Sequence, residues 1–506
     1  MRSILRYLIL ISGLALVAPL RADIVLAPLF RDGAILQRGK PVPVWGRAAP
    51  GEKVQVQFAG QSRETMADSS GRWTVSLAPL TESATPAELL VTGRNQLRVT
   101  GVLVGDVWLC SGQSNMNWQV QDAQNARQEI ASADHPLIHY FGVTNEVTDT
   151  PQDDTPGTWQ AAVPGAIGTF SAVGYYFARE LQPHVGVPLG IIKATPGGSG
   201  IEAWLSSDGM EKDPNWTETL AHRRKALAEF PEKKIAYEKA LAAWRAREAT
   251  AKKNGTDFIE KKPSVPEGPK SRNAPAGLFN SSIHPLLPYA IRGFVWYQGE
   301  ANASRYRAYA DFFPSMISQW RRLFQQGDLP FLFVQLANFD LANDPTGQQW
   351  AFQREAQASA LTLLDTGMAV AIDVGSAKTI HPLNKQEIGR RLSLLARSCA
   401  YGENLPDGES PRAIGFAVEN GTIRVRFTRG AGLVVRGEGR VLDLQVASSD
   451  RKFHSAEAKV EGDNLLVSSP AVPNPKAVRY LWRNAPEATL FNAAGLPVAP
   501  FRSDNW

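Results

Sequence analysis

Between about residues 23 and 104 the chain alternates apolar and polar positions in short runs. Lys53–Phe58 (KVQVQF), Arg72–Leu77 (RWTVSL) and 96–99 (QLRV) are examples, and Gly and Pro clusters separate them. A period of two, bounded by turn formers, predicts half-buried strands and a small β-sandwich-like module over 23–104. From about 105 the grammar changes. Short, mainly apolar runs stand at 107–110 (VWLC), Leu189–Ala194, Gly293–Tyr297, 331–336 and 368–373. Helical patterns lie between them: 171–181, with Val173, Phe177 and Leu181 on one stripe, then Tyr306–Phe324 and 384–400. Strands apolar on both faces, alternating with amphipathic helices, predict an α/β unit over 105–411 whose parallel sheet is covered on both sides. Within it, 211–270 is rich in Lys, Glu and Ala. Tyr237, Leu241 and Trp244 are spaced i, i+4, i+7, which predicts a helix or helical hairpin with a solvated charged face. The Pro-rich stretch 262–276 closes this insertion. Short β-runs return at Thr422–Phe427 and Asn464–Ser468, so 412–506 reads as a C-terminal β-rich module.

The first 22 residues have a different pattern. Arg2 and Arg6 precede an apolar run of about fourteen residues that ends before Ala22. The run is shorter than the ~20 residues that span a bilayer, and it predicts a cleavable secretory signal peptide over 1–22. The expected location is therefore periplasmic or secreted. A length of 506 residues fits several folding units. The two cysteines, Cys110 and Cys399, exclude a disulfide scaffold or an all-cysteine metal cage, and read as two buried free thiols, with a bridge between them in an oxidising compartment as the alternative. Three of the five net positive charges are the leader's arginines, and no acid lies there, so the rest of the chain carries +2. Near-neutrality argues against nucleic acid or a membrane surface as partner.

The sharpest chemical signal is Cys110-Ser-Gly-Gln-Ser-Asn-Met116, straight after the strand at 107–110. A small polar turn at the carboxyl end of a parallel strand is where α/β proteins place their sites. Met116 stands where G-x-S-x-G requires glycine, so the α/β-hydrolase elbow is not met. A Ser114 nucleophile needs a base, because a free hydroxyl is too weakly acidic to attack at neutral pH. His381 follows the strand at 368–373 and a short loop, and Asn384-Lys-Gln-Glu387 after it has the form of a capping box. His284, in an apolar loop, is its competitor. His135 and His139 flank Pro136 and do not read as a zinc pair. Two more polar turns follow strands. Thr195-Pro-Gly-Gly-Ser199 offers the N–H of Gly197 or Gly198, and Tyr297-Gln-Gly-Glu-Ala-Asn302 offers the amide of Gln298 or Asn302. Each turn alone is weak; four on one sheet edge are a stronger argument.

These residues resemble the sialate O-acetylesterase family of carbohydrate esterases, within the SGNH hydrolase superfamily. The resemblance rests on Trp108-Leu-Cys-Ser-Gly-Gln-Ser-Asn-Met116, Gly197-Gly-Ser-Gly-Ile-Glu-Ala-Trp204, Gly277-Leu-Phe-Asn280 leading to Ile283-His-Pro-Leu, Trp296-Tyr-Gln-Gly-Glu300 with Asn302, and Ile380-His-Pro-Leu-Asn-Lys385. It implies a flavodoxin-like SGNH domain, Ser114 as nucleophile and His381 as general base. It also implies an oxyanion hole from Ser114 N–H, Gly197 or Gly198, and Gln298. The reaction implied is removal of acetyl from sugar hydroxyls, without metal or organic cofactor. One position departs from the family pattern: where relatives carry Asp shortly before the histidine, this chain has Thr379. Asp373 is the first candidate to orient His381, the Lys378 carbonyl the second and Glu300 the third. Gln113, Asn115, Glu202, Trp204, Glu300 and Asn302 are candidate substrate contacts, with Trp118 beside them. Sialic acid and plant polysaccharides such as xylan or xyloglucan both remain open as the sugar. A non-catalytic carbohydrate-binding protein and an SGNH lipase or thioesterase are the rival readings.

Overall fold

A computed structural model describes residues 23–143, 146–428 and 432–506; the expected leader lies outside the described residues. Seven strands form the path of the central sheet. In chain order they are β1 (Gln96–Gly112), β2 (His135–Gly142), β3 (Trp159–Ala162), β4 (Leu189–Ala194), β5 (Gly293–Tyr297), β6 (Phe331–Gln335) and β7 (Thr366–Val370). Across the sheet they run β3-β2-β4-β1-β5-β6-β7. All neighbours are parallel except the edge pair β3 and β2. Every residue of β5 and β6 is buried, which is why these strands carry no polar alternation. The chain builds β2, β3 and β4 on one side of β1 before crossing to β5 on the other. The loops leaving β4 and β5 therefore part at the carboxyl end of β1, where sheets of this kind place their sites.

The strand pleat sends neighbouring residues into different layers. Trp108, Ile191, Val295 and Val334 join one core with Val173, Phe177 and Leu181 of helix α2 (Ala172–Val185) and Ile388 and Leu392 of α6 (Lys385–Cys399). Leu109, Ile192, Phe294 and Phe333 face the other core, with Phe313, Ile317 and Trp320 of α4 (Tyr306–Phe324). Helix α1 (Ser114–Asn117) is a single turn after β1, and α5 (Gln349–Ala358) lies between β6 and β7. The insertion holds one long helix, α3 (Thr217–Lys253), of 37 residues, with only Arg223 and Ala226 buried. Tyr237, Leu241 and Trp244 do share its half-buried stripe. The returning arm is extended rather than helical: Trp244 Nε1 donates to Glu260 O at 2.9 Å and its ring meets Phe258 edge-on. No helix among the described residues is long and apolar enough to cross a membrane.

The expected boundary at 104 falls inside β1. Residues 96–104 pair with Ser83–Thr92 of the N-terminal module, and 106–112 pair with β4 and β5. Gly105 marks the handover; a Cβ there would lie 1.9 Å from Pro188 O. The C-terminal module consists of two four-stranded antiparallel sheets and a two-stranded ribbon. Buried Arg354 of α5 fastens it to the central unit, donating to Leu336 O and Ala337 O on one side and Arg483 O and Asn484 O on the other. No disulfide involves Cys110, which is buried in β1.

Helix α6 anchors the downstream end of the loop that bears His381. Asn384 caps it, its Oδ1 accepting from Glu387 N at 3.1 Å. The reciprocal half of the expected box is absent, since the Glu387 carboxylate is bound by Arg390 and Arg391. Gly389 lets α6 lie directly on α2: a Cβ there would come within 2.6 Å of Tyr176 Cβ and 2.7 Å of Phe177 N. Alanine is ordinarily the better helix former by about 1 kcal/mol. Here the overlap outweighs that gain, so Gly389→Ala is expected to destabilise the protein by about 1–3 kcal/mol in urea unfolding.

Candidate active site

β1 delivers its turn through a glycine. Gly112 has φ +137°, and a Cβ on it would lie 2.2 Å from Tyr297 O of β5. The next residue closes on the same carbonyl: Gln113 N donates to Tyr297 O at 3.0 Å. Gln113 O then accepts from Met116 N and Asn117 N, both at 3.0 Å, and this closes α1. Ser114 is the first residue of that turn and is half-exposed. Its N–H, having no intrahelical partner, meets no acceptor among the described residues.

The loop after β7 brings His381 to the same place. His381 Nε2 lies 2.9 Å from Ser114 Oγ, although the two residues are 267 positions apart. The imidazole stacks on Trp118, with ring centroids 4.7 Å apart and planes 28° from parallel. Trp118 Nε1 is anchored on Asp122 O at 2.9 Å, so the indole fixes the plane of the imidazole. The competitor His284 is elsewhere, its Nδ1 2.8 Å from Gln152 O.

The expected orienting acid is turned away. Asp373 gives both carboxylate oxygens to Arg391 of α6, at 2.6 and 2.7 Å, and forms no hydrogen bond with His381. Among the described residues neither the Lys378 carbonyl nor Glu300 hydrogen-bonds the imidazole.

The Gly197-Gly198 turn lies beside Ser114. A Cβ on Gly197 would sit 3.6 Å from Ser114 Cβ, in van der Waals contact. Gly198 has φ +69°, a conformation glycine adopts without strain. Arg272 Nη1 donates to Gly197 O at 3.1 Å. In a trans peptide the Gly198 N–H points opposite to that carbonyl, away from the guanidinium.

Gln298 does not fit the expected donor role. Its two Nε2 hydrogens go to Asn302 Oδ1 at 2.7 Å and Ser199 O at 3.1 Å, and its side chain is fully buried. It braces the glycine turn instead. The expected substrate contacts change character for the same reason. Gln113, Asn115, Glu202, Trp204, Glu300 and Asn302 are between 0% and 9% exposed, too buried to meet a sugar in this arrangement. Trp204 packs edge-on against Trp296 and donates to Ser199 Oγ at 3.1 Å. Glu202 accepts from Arg305 and Asn302. Gln113 Oε1 accepts from Gly299 N and Ala301 N. These residues form a hydrogen-bonded web at the carboxyl end of β1.

Behind Ser114 lies a buried polar group. Asn115 Nδ2 donates to Glu300 Oε1 at 2.5 Å and to Ile380 O at 3.0 Å, and Asn115 Oδ1 accepts from Lys385 Nζ. Lys385 is fully buried, its ammonium 5.1 Å from the Tyr297 ring centre. Burial, partly offset by Glu300, pushes Lys385 down to about 7. Burial raises Glu300, against the hydrogen bond from Asn115 and the charge of Lys385. Burial, then Lys385, lowers His381.

No role was expected for Lys385 or Arg272. Lys385 had a legible signal: it opens α6, where the positive end of the helix dipole disfavours a cation. Arg272 sits in the Pro-rich segment closing the insertion, and nothing local marks it. No group of three or more metal-ligating side chains occurs among the described residues.

A hydroxyl and an imidazole thus meet at one rim of the sheet, beside a glycine turn and a backbone N–H that has no acceptor among the described residues. The family profile described as "Carbohydrate esterase, sialic acid-specific acetylesterase" matches residues 104–237 and 279–393. Sialate O-acetylesterase from Mus musculus is 29% identical, with 90% of each chain aligned. That from Homo sapiens is 27% identical over 90% of this chain and 88% of its own. The crystal structure of a carbohydrate acetylesterase from Xanthomonas citri is 37% identical, with TM-score 0.81, over 96% of this chain and all of that one. The chain belongs to the sialate O-acetylesterase family of carbohydrate esterases, and it is an esterase.

The shift at His381 can be measured directly. Its causes favour the neutral ring, so on acidification the imidazole should stay neutral past the usual value of about 6.5. An NMR pH titration of the His381 ring is expected to give a midpoint below 6.5; a midpoint above it would contradict the burial and Lys385 effects.

Proposed function

We propose that the protein is an exported carbohydrate O-acetylesterase that works through an acyl-enzyme on Ser114. The observation that carries this reading is the 2.9 Å contact between His381 Nε2 and Ser114 Oγ at the rim of the sheet. His381 takes the Ser114 proton as Oγ attacks the acetyl carbonyl. The tetrahedral oxyanion is held by Ser114 N–H and by the N–H of Gly198 or Gly197. The sugar alcohol leaves with the proton returned by His381. Water, deprotonated by the same imidazole, then attacks the acyl-enzyme, and acetate leaves as Ser114 is reprotonated.

Among the described residues no carboxylate hydrogen-bonds His381. Trp118 holds the ring plane, and a dyad is competent because the third member of a triad mainly fixes tautomer and stabilises imidazolium. The strand order β4-β1-β5-β6-β7, with β1 at the switch point, supports a flavodoxin-like SGNH domain. The leader over 1–22 supports export to the periplasm or beyond. Ser114→Ala is expected to lower acetate release from 4-nitrophenyl acetate by about 10³-fold or more while leaving circular dichroism unchanged. A folded variant that keeps its activity refutes the serine assignment.

The sugar we infer is an acetylated sialic acid. Arg272 is exposed at the glycine turn, and its only hydrogen bond among the described residues is to Gly197 O. Its remaining donors are free to meet a carboxylate in a bidentate pair. Arg272→Ala is expected to raise KM for acetylated sialic acid by about tenfold, the scale of one charged hydrogen bond, and to affect acetylated xylan far less. Equal losses on both, or faster turnover of xylan or xyloglucan by the parent enzyme, would favour a plant polysaccharide.

A further inference from the structure

The buried group behind Ser114 has a topology that the acyl-transfer reading does not use. Asn115 adjoins the nucleophile, and Ile380 immediately precedes the base. Lys385 follows His381 by four residues. One amide therefore grips the His381 loop on both flanks, by donating to Ile380 O and by accepting from Lys385 Nζ. Its other hydrogen is fixed on Glu300. Three elements meet on this single side chain: α1, the start of α6 and the segment after β5.

Asn115 has no freedom to swivel. Reversing its amide would set Oδ1 against the Ile380 carbonyl and the Glu300 carboxyl, and would aim Nδ2 at the Lys385 ammonium. Asn115, Lys385 and Glu300 are all buried, so water cannot substitute for a lost contact. A polar network in such a place is costly when broken and rigid when complete.

We propose that Asn115, clamped between Lys385 and Glu300, is the positioning residue that holds His381 on Ser114, where no carboxylate among the described residues bonds the imidazole. Lys385 has two parts in this arrangement. Its Nζ closes the clamp, and when protonated its charge adds to the effect of burial in disfavouring imidazolium. The titratable and charged groups facing Lys385 are Tyr297 at the end of β5, Glu300 just beyond it and His381 in the loop before α6. Burial holds the Tyr297 phenol well above its usual range, so it stays neutral. Glu300 offsets part of the lysine charge.

This inference rests on the Ser114–His381 reading, and two substitutions separate its geometric and electrostatic parts. Lys385→Met removes both clamp and charge. It should lower kcat on 4-nitrophenyl acetate by about 10–10²-fold, the cost of a slightly misplaced base, with little change in KM. It should also move the acid limb of kcat/KM upward, because the lysine charge that disfavours imidazolium is gone. Asn115→Ser opens the clamp but keeps the lysine, so kcat should fall comparably while the limb moves less. A loss of packing alone would move no limb. Folded Lys385→Met with the parent's kcat and pH profile overturns the proposal, as does folded Asn115→Ser with the parent's kcat. An acid limb at or above about pH 6.5 in the parent enzyme overturns it with no variant at all. If Ser114→Ala retains activity, the underlying reading has failed instead.

Discussion

The structure depends on the two-sided pairing of β1. Its carboxyl half is bonded in parallel to β4 on one side and β5 on the other, with Ser111 opposite both Ala194 and Trp296. Ser111 Oγ reinforces the first pairing by donating to Ala194 O at 2.8 Å. Side chains alternate along a strand, so a slip of one residue would reverse every face. The register therefore fixes the height and direction at which the chain leaves the sheet. The glycine turn after β4, the polar turn after β5 and α1 itself all take their positions from it.

What emerges at that rim is a division between few exposed groups and many buried ones. Ser114, His381, Trp118 and the two glycines meet solvent. Below them, Gln113, Asn115, Gln298, Glu300 and Asn302 bond to one another and to backbone. Burying so many polar atoms is unfavourable unless each finds a partner. Gln298 Oε1 and Glu300 Oε2 do not find one among the described residues. A site that must hold a hydroxyl and an imidazole to within a fraction of an ångström uses such a web for support.

The sequence made the strands legible because burial on both faces leaves an unmistakable apolar run. Leu189–Ala194 and Gly293–Tyr297 emerge with the bounds that periodicity suggested, and so does helix Tyr306–Phe324. The placement of Ser114 and His381 at one edge followed from strand direction alone. Side-chain orientation was less legible. Asp373 has the right chemistry, and the apolar run 368–373 ends on it, but the strand stops at Val370 and Arg391, one α6 turn from Glu387, binds the Asp373 carboxylate. Glu202 and Trp204 follow a glycine turn, as sugar contacts often do, yet the turn folds them inward beneath itself. Burial of such residues is decided by elements more than a hundred positions away: Trp320 Nε1 bonds the Trp204 carbonyl. No local pattern carries that information.

The unbroken course of β1 through Gly105 has a mechanical consequence. Two bodies that share a strand have no joint between them, since bending would require shearing ladder bonds on either side of the handover. The leading β-module is thus a fixed outrigger and not a tethered appendage. Any strain applied to it would be felt, through the continuous backbone of 105–112, at the turn that carries Ser114.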